Sequence, residues 1–142
     1  MVLKYREAIT AAIAEEMERD PTVVIFGEDI AAAGGTFLAT RGLLDRFGPS
    51  RVRDTPISEG ALVGAAVGAA MTGLRPIVEI MFLDFLTLAS DQLVNHAAKV
   101  ASVSDGEFAA PRVVRTINGA GRAAGPQHGQ SLESWVAHVP GL

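Results

Sequence analysis

The first apolar pattern along the chain has a helical period. Tyr5, Ile9, Ile13 and Met17 recur every fourth residue, with Glu15, Glu16 and Glu18 mostly on other faces. This predicts a helix over Tyr5–Arg19, stopped by Asp20-Pro21. The run Thr22-Val23-Val24-Ile25-Phe26 has no polar alternation and reads as a buried strand. Residues 27–36 form a loop rich in glycine and alanine. Residues 41–47 suit a short helix closed by Gly48-Pro49, and residues 51–53 a short extended piece. A further helix begins at Glu59 and closes at Gly73, followed by a strand over residues 76–80. Phe85, Leu88, Leu93, Ala97 and Val100 give a helical period over residues 84–100. A third strand covers residues 112–116, a loop with four glycines residues 118–130, and a last helix residues 132–138. Strands alternating with helices predict an α/β fold: a mainly parallel sheet flanked by helices, with no internal repeat.

The helix that starts at Glu59 is unusual. Gly60, Gly64 and Gly68 recur every fourth residue, with alanine and valine between them. A glycine inside a helix costs about 1 kcal/mol relative to alanine, so three on one face need a compensating close contact. The stretch before it, Asp54-Thr55-Pro56-Ile57-Ser58-Glu59-Gly60, sets up the helix start. Pro56 fixes the backbone and keeps Thr55 extended. Ser58 suits the N-cap, which makes Glu59 the first helical residue. Ser-Glu before an apolar run is also an ordinary capped start, because an acid there suits the helix dipole.

Composition narrows the classes. The 142 residues suit one ordinary domain, and 49% of them are apolar. A net charge of −4 gives no electrostatic case for nucleic acid. With no cysteine there is no disulfide, no thiolate catalysis and no cysteine-based zinc site; the absence fits a reducing compartment. The run Met1-Val2-Leu3-Lys4-Tyr5-Arg6-Glu7 lacks signal-peptide architecture, and residues 61–71 are too short and too glycine-rich to span a bilayer. The expectation is a cytoplasmic protein with neither nucleic-acid nor membrane partner.

Ligands of such sheets bind beyond the carboxyl ends of the strands. That rule gathers Glu28, Phe82 with Phe85, and His128 on one side, with Glu59 joining from its helix start. Each has a plainer reading. Glu28 and Asp29 are also explained as solvated loop acids, and Phe82 and Phe85 as ordinary core. His128 lies in the loop Gly125-Pro126-Gln127-His128-Gly129-Gln130-Ser131, from which an imidazole can reach a substrate and titrate near neutral pH. His96 and His138 read as structural or surface residues. Gly34-Gly35-Thr36 is not a P-loop, the dinucleotide fingerprint and Gly-x-Ser-x-Gly are absent, and no metal-ligand cluster is visible.

Taken together, Gly27-Glu28-Asp29, Arg41-Gly42-Leu43, the Asp54 to Glu59 motif, Val67-Gly68-Ala69-Ala70-Met71, Gly73-Leu74-Arg75-Pro76, Asp91-Gln92 and Pro140-Gly141 carry a resemblance. In order and spacing the chain resembles the N-terminal part of the β subunit of thiamine-diphosphate-dependent 2-oxo acid dehydrogenases. That part is the pyrimidine-binding domain of the transketolase-like superfamily, here expected over residues 1–142 without the family's C-terminal domain. The resemblance implies that Glu59 hydrogen-bonds the aminopyrimidine of thiamine diphosphate and favours its imino tautomer. It implies that Phe85 stacks on that ring, that Ile57 and Met81 supply apolar contacts, and that Glu28 is an acid near the cofactor. It assigns His128 as the active-site histidine. The family's diphosphate and magnesium motif, Gly-Asp-Gly followed by Asn-Asn, is absent from the chain and sits on the α subunit of two-chain members. The implied partners are that α subunit in an α2β2 assembly, a dihydrolipoyl acyltransferase core and a small 2-oxo acid, pyruvate favoured. Acetoin-cleaving members, a split transketolase-like half, and a non-catalytic assembly module are the alternatives. The glycine ladder is expected to pack at a subunit interface.

Overall fold

The computed structural model describes residues 2–142; Met1, counted in the expected domain and in the N-terminal run, lies outside them. Helix α1 spans Tyr5–Arg19, the predicted range, with Glu7 accepting a hydrogen bond from the Lys4 N–H at 3.0 Å. Its apolar stripe is buried at Ile13, Ala14 and Met17, whereas Tyr5, predicted on the same stripe, is exposed. Strand β1 (Val23–Gly27) follows, then helix α2 (Leu43–Phe47) and strand β2 (Val52–Asp54). Helix α3 (Glu59–Met71) leads to strand β3 (Arg75–Glu79), and strand β4 (Val113–Arg115) completes the sheet. A short helix α4 (Val100–Val103) precedes β4, and helix α5 (Glu133–Ala137) lies near the C-terminal end.

The four strands are all parallel, in the order β2-β1-β3-β4. The two faces bury different halves of the chain. Val23, Ile25 and Val52 pack with Ile13, Met17 and Leu43 on the α1–α2 side. Val78 and Ile80 pack with Leu62, Val63 and Ala66 of α3 on the other, joined by Phe26 and Val114. Arg51 ties the first half together. Its guanidinium donates to the carbonyls of Met17, Asp20 and Val23 at 2.7–3.0 Å, closing the end of α1 onto the start of β1. The crossover after β1 leads to β2 on one side, and the chain then passes back to β3 on the other. The carboxyl ends of β1 and β3 therefore form a topological switch point, where open α/β sheets keep their ligand crevice.

The helix predicted over residues 84–100 is not continuous. It comprises a 3₁₀ helix (Leu83–Ala89), a π-helical turn (Gln92–Ala97) and α4. Thr87 and Ser90 promote the tight turns, since their hydroxyls donate to the carbonyls of Asp84 and Thr87, three residues back, at 2.8 Å each. The apolar period alone could not separate these geometries. The loop of residues 28–41 is also more ordered than its glycines suggest. Ile30, Ala39 and Thr40 are buried, and the Thr40 hydroxyl donates to the Ile30 carbonyl at 2.7 Å.

Two of the three ladder glycines closely approach a neighbour within the chain. A Cβ on Gly60 would stand 3.2 Å from the Leu88 carbonyl oxygen, and one on Gly64 3.0 Å from Gln92 Oε1. Gly68 has nothing within 4 Å. The ladder lets the 3₁₀ and π segments close onto α3.

Alanine substitutions along the ladder should therefore differ in sign. Gly68→Ala should gain up to about 1 kcal/mol from helix propensity alone. Gly64→Ala should be near neutral, because the Gln92 side chain can swing away. Gly60→Ala meets a backbone carbonyl and should lose about 1 kcal/mol net of propensity. Urea midpoints of the three variants test the order, and a Gly60→Ala as stabilising as Gly68→Ala would refute the packing argument.

Candidate active site

Glu59 and Glu28 approach the same crevice from different elements. Glu28 directly follows β1 and is buried, so it is not the solvated loop acid of the plainer reading. Glu59 is the first residue of α3 and is 6% exposed. Ser58 occupies the N-cap position, but its hydroxyl makes no capping bond. The first-turn N–H groups and the helix dipole thus favour the Glu59 carboxylate. No hydrogen bond from the described residues reaches that carboxylate, an arrangement that leaves it available to a donor from outside. Burial pushes the Glu28 carboxyl above the usual range, and the negative charges of Glu59 and then Asp29 push it in the same direction. The two acids are electrostatic neighbours.

An aromatic cluster gathers at the same end of the sheet. The His128 ring sits edge-to-face on both Phe82 and Phe85, with centroids 5.1 Å away in each case. Phe82 and Phe85 meet each other at 5.9 Å, edge-to-face. Phe82 is the extended residue just before the 3₁₀ helix; Phe85 lies in its first turn, and its N–H donates to the Phe82 carbonyl at 3.0 Å, which brings the two rings together. Phe37, from the loop after β1, adds a ring 6.0 Å from Phe82, and the Arg122 guanidinium lies 4.5 Å over Phe37. The loops after β1, β3 and β4 meet here, as the sheet rule predicts. Gly60 joins the acid to the rings, because its close approach to Leu88 sets the start of α3 against the helix that carries Phe85.

Met81 is half-buried between β3 and the aromatic pair. Ile57 is 80% exposed, so whatever it contacts lies outside the described residues. His96 and His138 are surface residues; His96 lies 3.4 Å from Asp91. Among the described residues no group of histidine and acidic side chains is arranged to hold a metal ion, and no helix is long and apolar enough to cross a membrane.

Sequence reasoning missed Asp84 and Gln130. Asp84 is 5% exposed, and its Oδ1 accepts hydrogen bonds from Gln130 Nε2 at 2.8 Å and from the Gln130 backbone N–H at 3.2 Å. Burial pushes the Asp84 carboxyl up, but the Gln130 side-chain and backbone bonds, together with the backbone N–H groups of Asp84 and Gly129, outweigh it and hold it below the usual range. The partners are 46 residues apart, a separation at which no local pattern signals contact. Phe37 and Arg122 were missed for the same reason.

Known proteins place this geometry in a lineage. The family described as "Transketolase, pyrimidine binding domain" matches residues 2–142. The chain is 47% identical over 140 residues to the pyruvate dehydrogenase E1 component subunit beta-2, mitochondrial, of Oryza sativa subsp. japonica, across 99% of this chain and 37% of that protein. It is 48% identical over 136 residues to the pyruvate dehydrogenase E1 component subunit beta of Chaetosphaeridium globosum, across 96% of this chain and 42% of that one. It is 45% identical over 141 residues to the 2-oxoisovalerate dehydrogenase subunit beta of Bacillus subtilis (strain 168), across 99% and 43%. The chain thus spans less than half the length of these relatives. Among solved structures, "Split gene transketolase, inactive beta4 tetramer" shares the fold, with a TM-score of 0.68 at 20% identity, over 95% of this chain and 40% of that one.

The acid pair has a pH signature. Glu28 holds its proton more tightly in the folded chain than in the unfolded one. Its contribution to stability is complete below the unfolded value, about pH 4, and is lost as pH rises through the raised folded value. Glu28→Gln should therefore stabilise the chain without added cofactor at neutral pH, with the gain vanishing below about pH 4. Denaturant midpoints across that range measure it, and an equal gain at both ends would contradict the assignment.

Proposed function

We propose that this chain, which belongs to the transketolase pyrimidine-binding domain family, is the pyrimidine-binding part of the β subunit of a thiamine-diphosphate-dependent 2-oxo acid dehydrogenase. It works with an α subunit in an α2β2 assembly in the cytoplasm, and pyruvate is the favoured substrate. Acyl groups pass to the lipoyl groups of a dihydrolipoyl acyltransferase core. The observation that carries this reading is Glu59, a residue only 6% exposed whose carboxylate takes no donor from the described residues, at the first turn of α3 beside the switch point of the sheet. The names of the sequence relatives support the reaction class.

The residues present fit an aminopyrimidine. Such a ring brings N–H donors and a flat apolar face, and the chain offers the Glu59 carboxylate, which takes no donor from the described residues, and the Phe85 ring. When bound, thiamine diphosphate supplies the nucleophilic carbon that lets the 2-oxo acid lose carbon dioxide. Glu59 accepts a hydrogen bond from the ring nitrogen and so shifts proton affinity across the ring; such a bond gains strength in a dry site. Glu28, its pKa raised by burial and by Glu59, is suited to hold a proton beside that acid. His128 faces the same cluster and serves as proton donor or electrostatic stabiliser to the reacting substrate. Ile57 and Met81 are apolar contacts to the pyrimidine. The diphosphate and its Mg2+ belong on the α subunit, since the chain lacks the Gly-Asp-Gly and Asn-Asn residues that would hold them.

A second reading has its own observation. Gly121-Arg122 and Gly125-Pro126-Gln127-His128 also resemble the loop of acetoin-cleaving members. Reconstitution with a cognate α subunit separates acetoin from pyruvate, and lipoamide-dependent acyl transfer separates both from the ketol transfer of a split transketolase.

In that reconstituted complex Glu59→Ala should lower turnover by a factor of about 100 or more and weaken thiamine diphosphate binding. Turnover and calorimetric titration with magnesium present are the measurements. Wild-type binding and turnover in the variant would sink the role given to Glu59. Failure of every α chain to restore cofactor binding would favour a non-catalytic assembly module.

A further inference from the structure

The loop of residues 119–130 has few attachments of its own. The Gly119 N–H donates to the Gln130 carbonyl at 3.1 Å, which closes the loop at its neck. Within it, the weak His128 N–H to Gly125 carbonyl contact at 3.4 Å is all that ties the histidine backbone locally. Arg122, Ala123, Ala124 and Gln127 are exposed, and Ala123 takes a positive φ of 53°. Such a loop does not hold an imidazole in one place by itself.

What holds it is a four-residue stretch on the 3₁₀ helix. The Leu83 N–H donates to the Ile117 carbonyl at 2.8 Å, just before the loop. The Asp84 carboxylate takes both the backbone and the side-chain N–H groups of Gln130 at its end. Phe82 and Phe85 flank these two residues and grip the His128 ring between the anchors. The second Asp84 oxygen, Oδ2, is buried and without a partner. The Gly129 N–H also lies close enough to stabilise the carboxylate, so the Asp84 side chain gathers the whole end of the loop next to His128.

We propose that Asp84 is a positioning residue for His128: by clasping Gln130 it fixes the loop so that the imidazole stays against Phe82 and Phe85. The inference rests on the reading of His128 as the active-site histidine. Asp84 itself touches neither substrate nor cofactor in this scheme; it acts through the loop.

The test uses the full chain in its complex with the α subunit. Trypsin cleavage after the exposed Arg122 reports on the loop independently of activity. Asp84→Ala and Gln130→Ala should each speed that cleavage about tenfold, the loss of a charge-assisted hydrogen bond. Both should broaden or shift the His128 ring resonances, and lower kcat about tenfold with KM for the 2-oxo acid unchanged. The double variant Asp84→Asn with Gln130→Glu exchanges acceptor and donor and should recover part of the loss. Gln130 is exposed, so its variant tests the clasp even where Asp84→Ala fails to fold. Wild-type cleavage and resonances in Gln130→Ala overturn the proposal, as does faster cleavage with unchanged kcat while His128→Ala remains impaired. Full activity in His128→Ala would instead remove the role given to the histidine, a failure of the functional reading that the cleavage assay tells apart from failure of the clasp.

Discussion

At Gly60 the missing Cβ lets the Leu88 carbonyl approach to 3.2 Å of where that atom would stand, and the geometry of the crevice depends on this contact. It joins the first turn of α3, which carries Glu59, to the 3₁₀ helix that carries Asp84 and Phe85 and follows directly on Phe82. A helix with larger residues on that face would push the segment outward, separating the acid from the aromatic cluster. Glycine in a helix costs backbone entropy. That cost is met here by bringing two chemically different surfaces within reach of one small ligand. Gly68, one turn beyond Gly64, has no such neighbour and so marks where the in-chain contact ends.

The sheet edge carries a second constraint. Glu79 and Arg115 are register partners on β3 and β4, and the guanidinium meets the carboxylate in a bidentate ion pair. Burial pushes the Glu79 carboxyl up against the pull of Arg115. Removing one partner of such a pair costs about 3–5 kcal/mol, because the other is left buried and charged. This matters to the site because β4 runs directly into Ile117 and the loop that carries His128. The pair also sits at the carboxyl ends of both strands, so it secures the sheet where the crevice opens. A Cβ on Gly27, the β1 residue in register with Glu79, would come within 2.7 Å of the Glu79 carbonyl oxygen. Strands β1, β3 and β4 thus end in a tightly packed row.

The parts legible in the sequence share one property: their determinants are local. The period through Ile13 and Met17 specified α1, and the β-branched run through Ile25 specified a buried strand. Ser58 and Glu59 located the start of α3 even though the serine hydroxyl makes no cap. The parts that were not legible depend on distant partners or on small energy differences. The choice between α, 3₁₀ and π geometry across residues 83–103 turns on Thr87, Ser90 and the fit against Gly60 and Gly64. The apolar period over Phe85, Leu88 and Leu93 cannot report any of these. Similarly, Glu28, Phe85 and His128 could be brought to one sheet end by topology alone. The Asp84–Gln130 clasp needed side-chain positions from two elements 46 residues apart.

The same division explains why the crevice is built as a pair of half-sites. On one side are acids, with burial first and the charge of Glu59 next raising the proton affinity of Glu28; on the other are rings and an imidazole held by edge-to-face contacts. Like charges at close range are stable only if one is protonated or a donor comes between them. A ligand with N–H groups on a flat ring relieves the acids on one side and covers the phenyl rings on the other. A carboxyl of raised proton affinity beside a second acid, facing a group of rings, favours a molecule with both features. The physical selectivity of the site lies in that pairing.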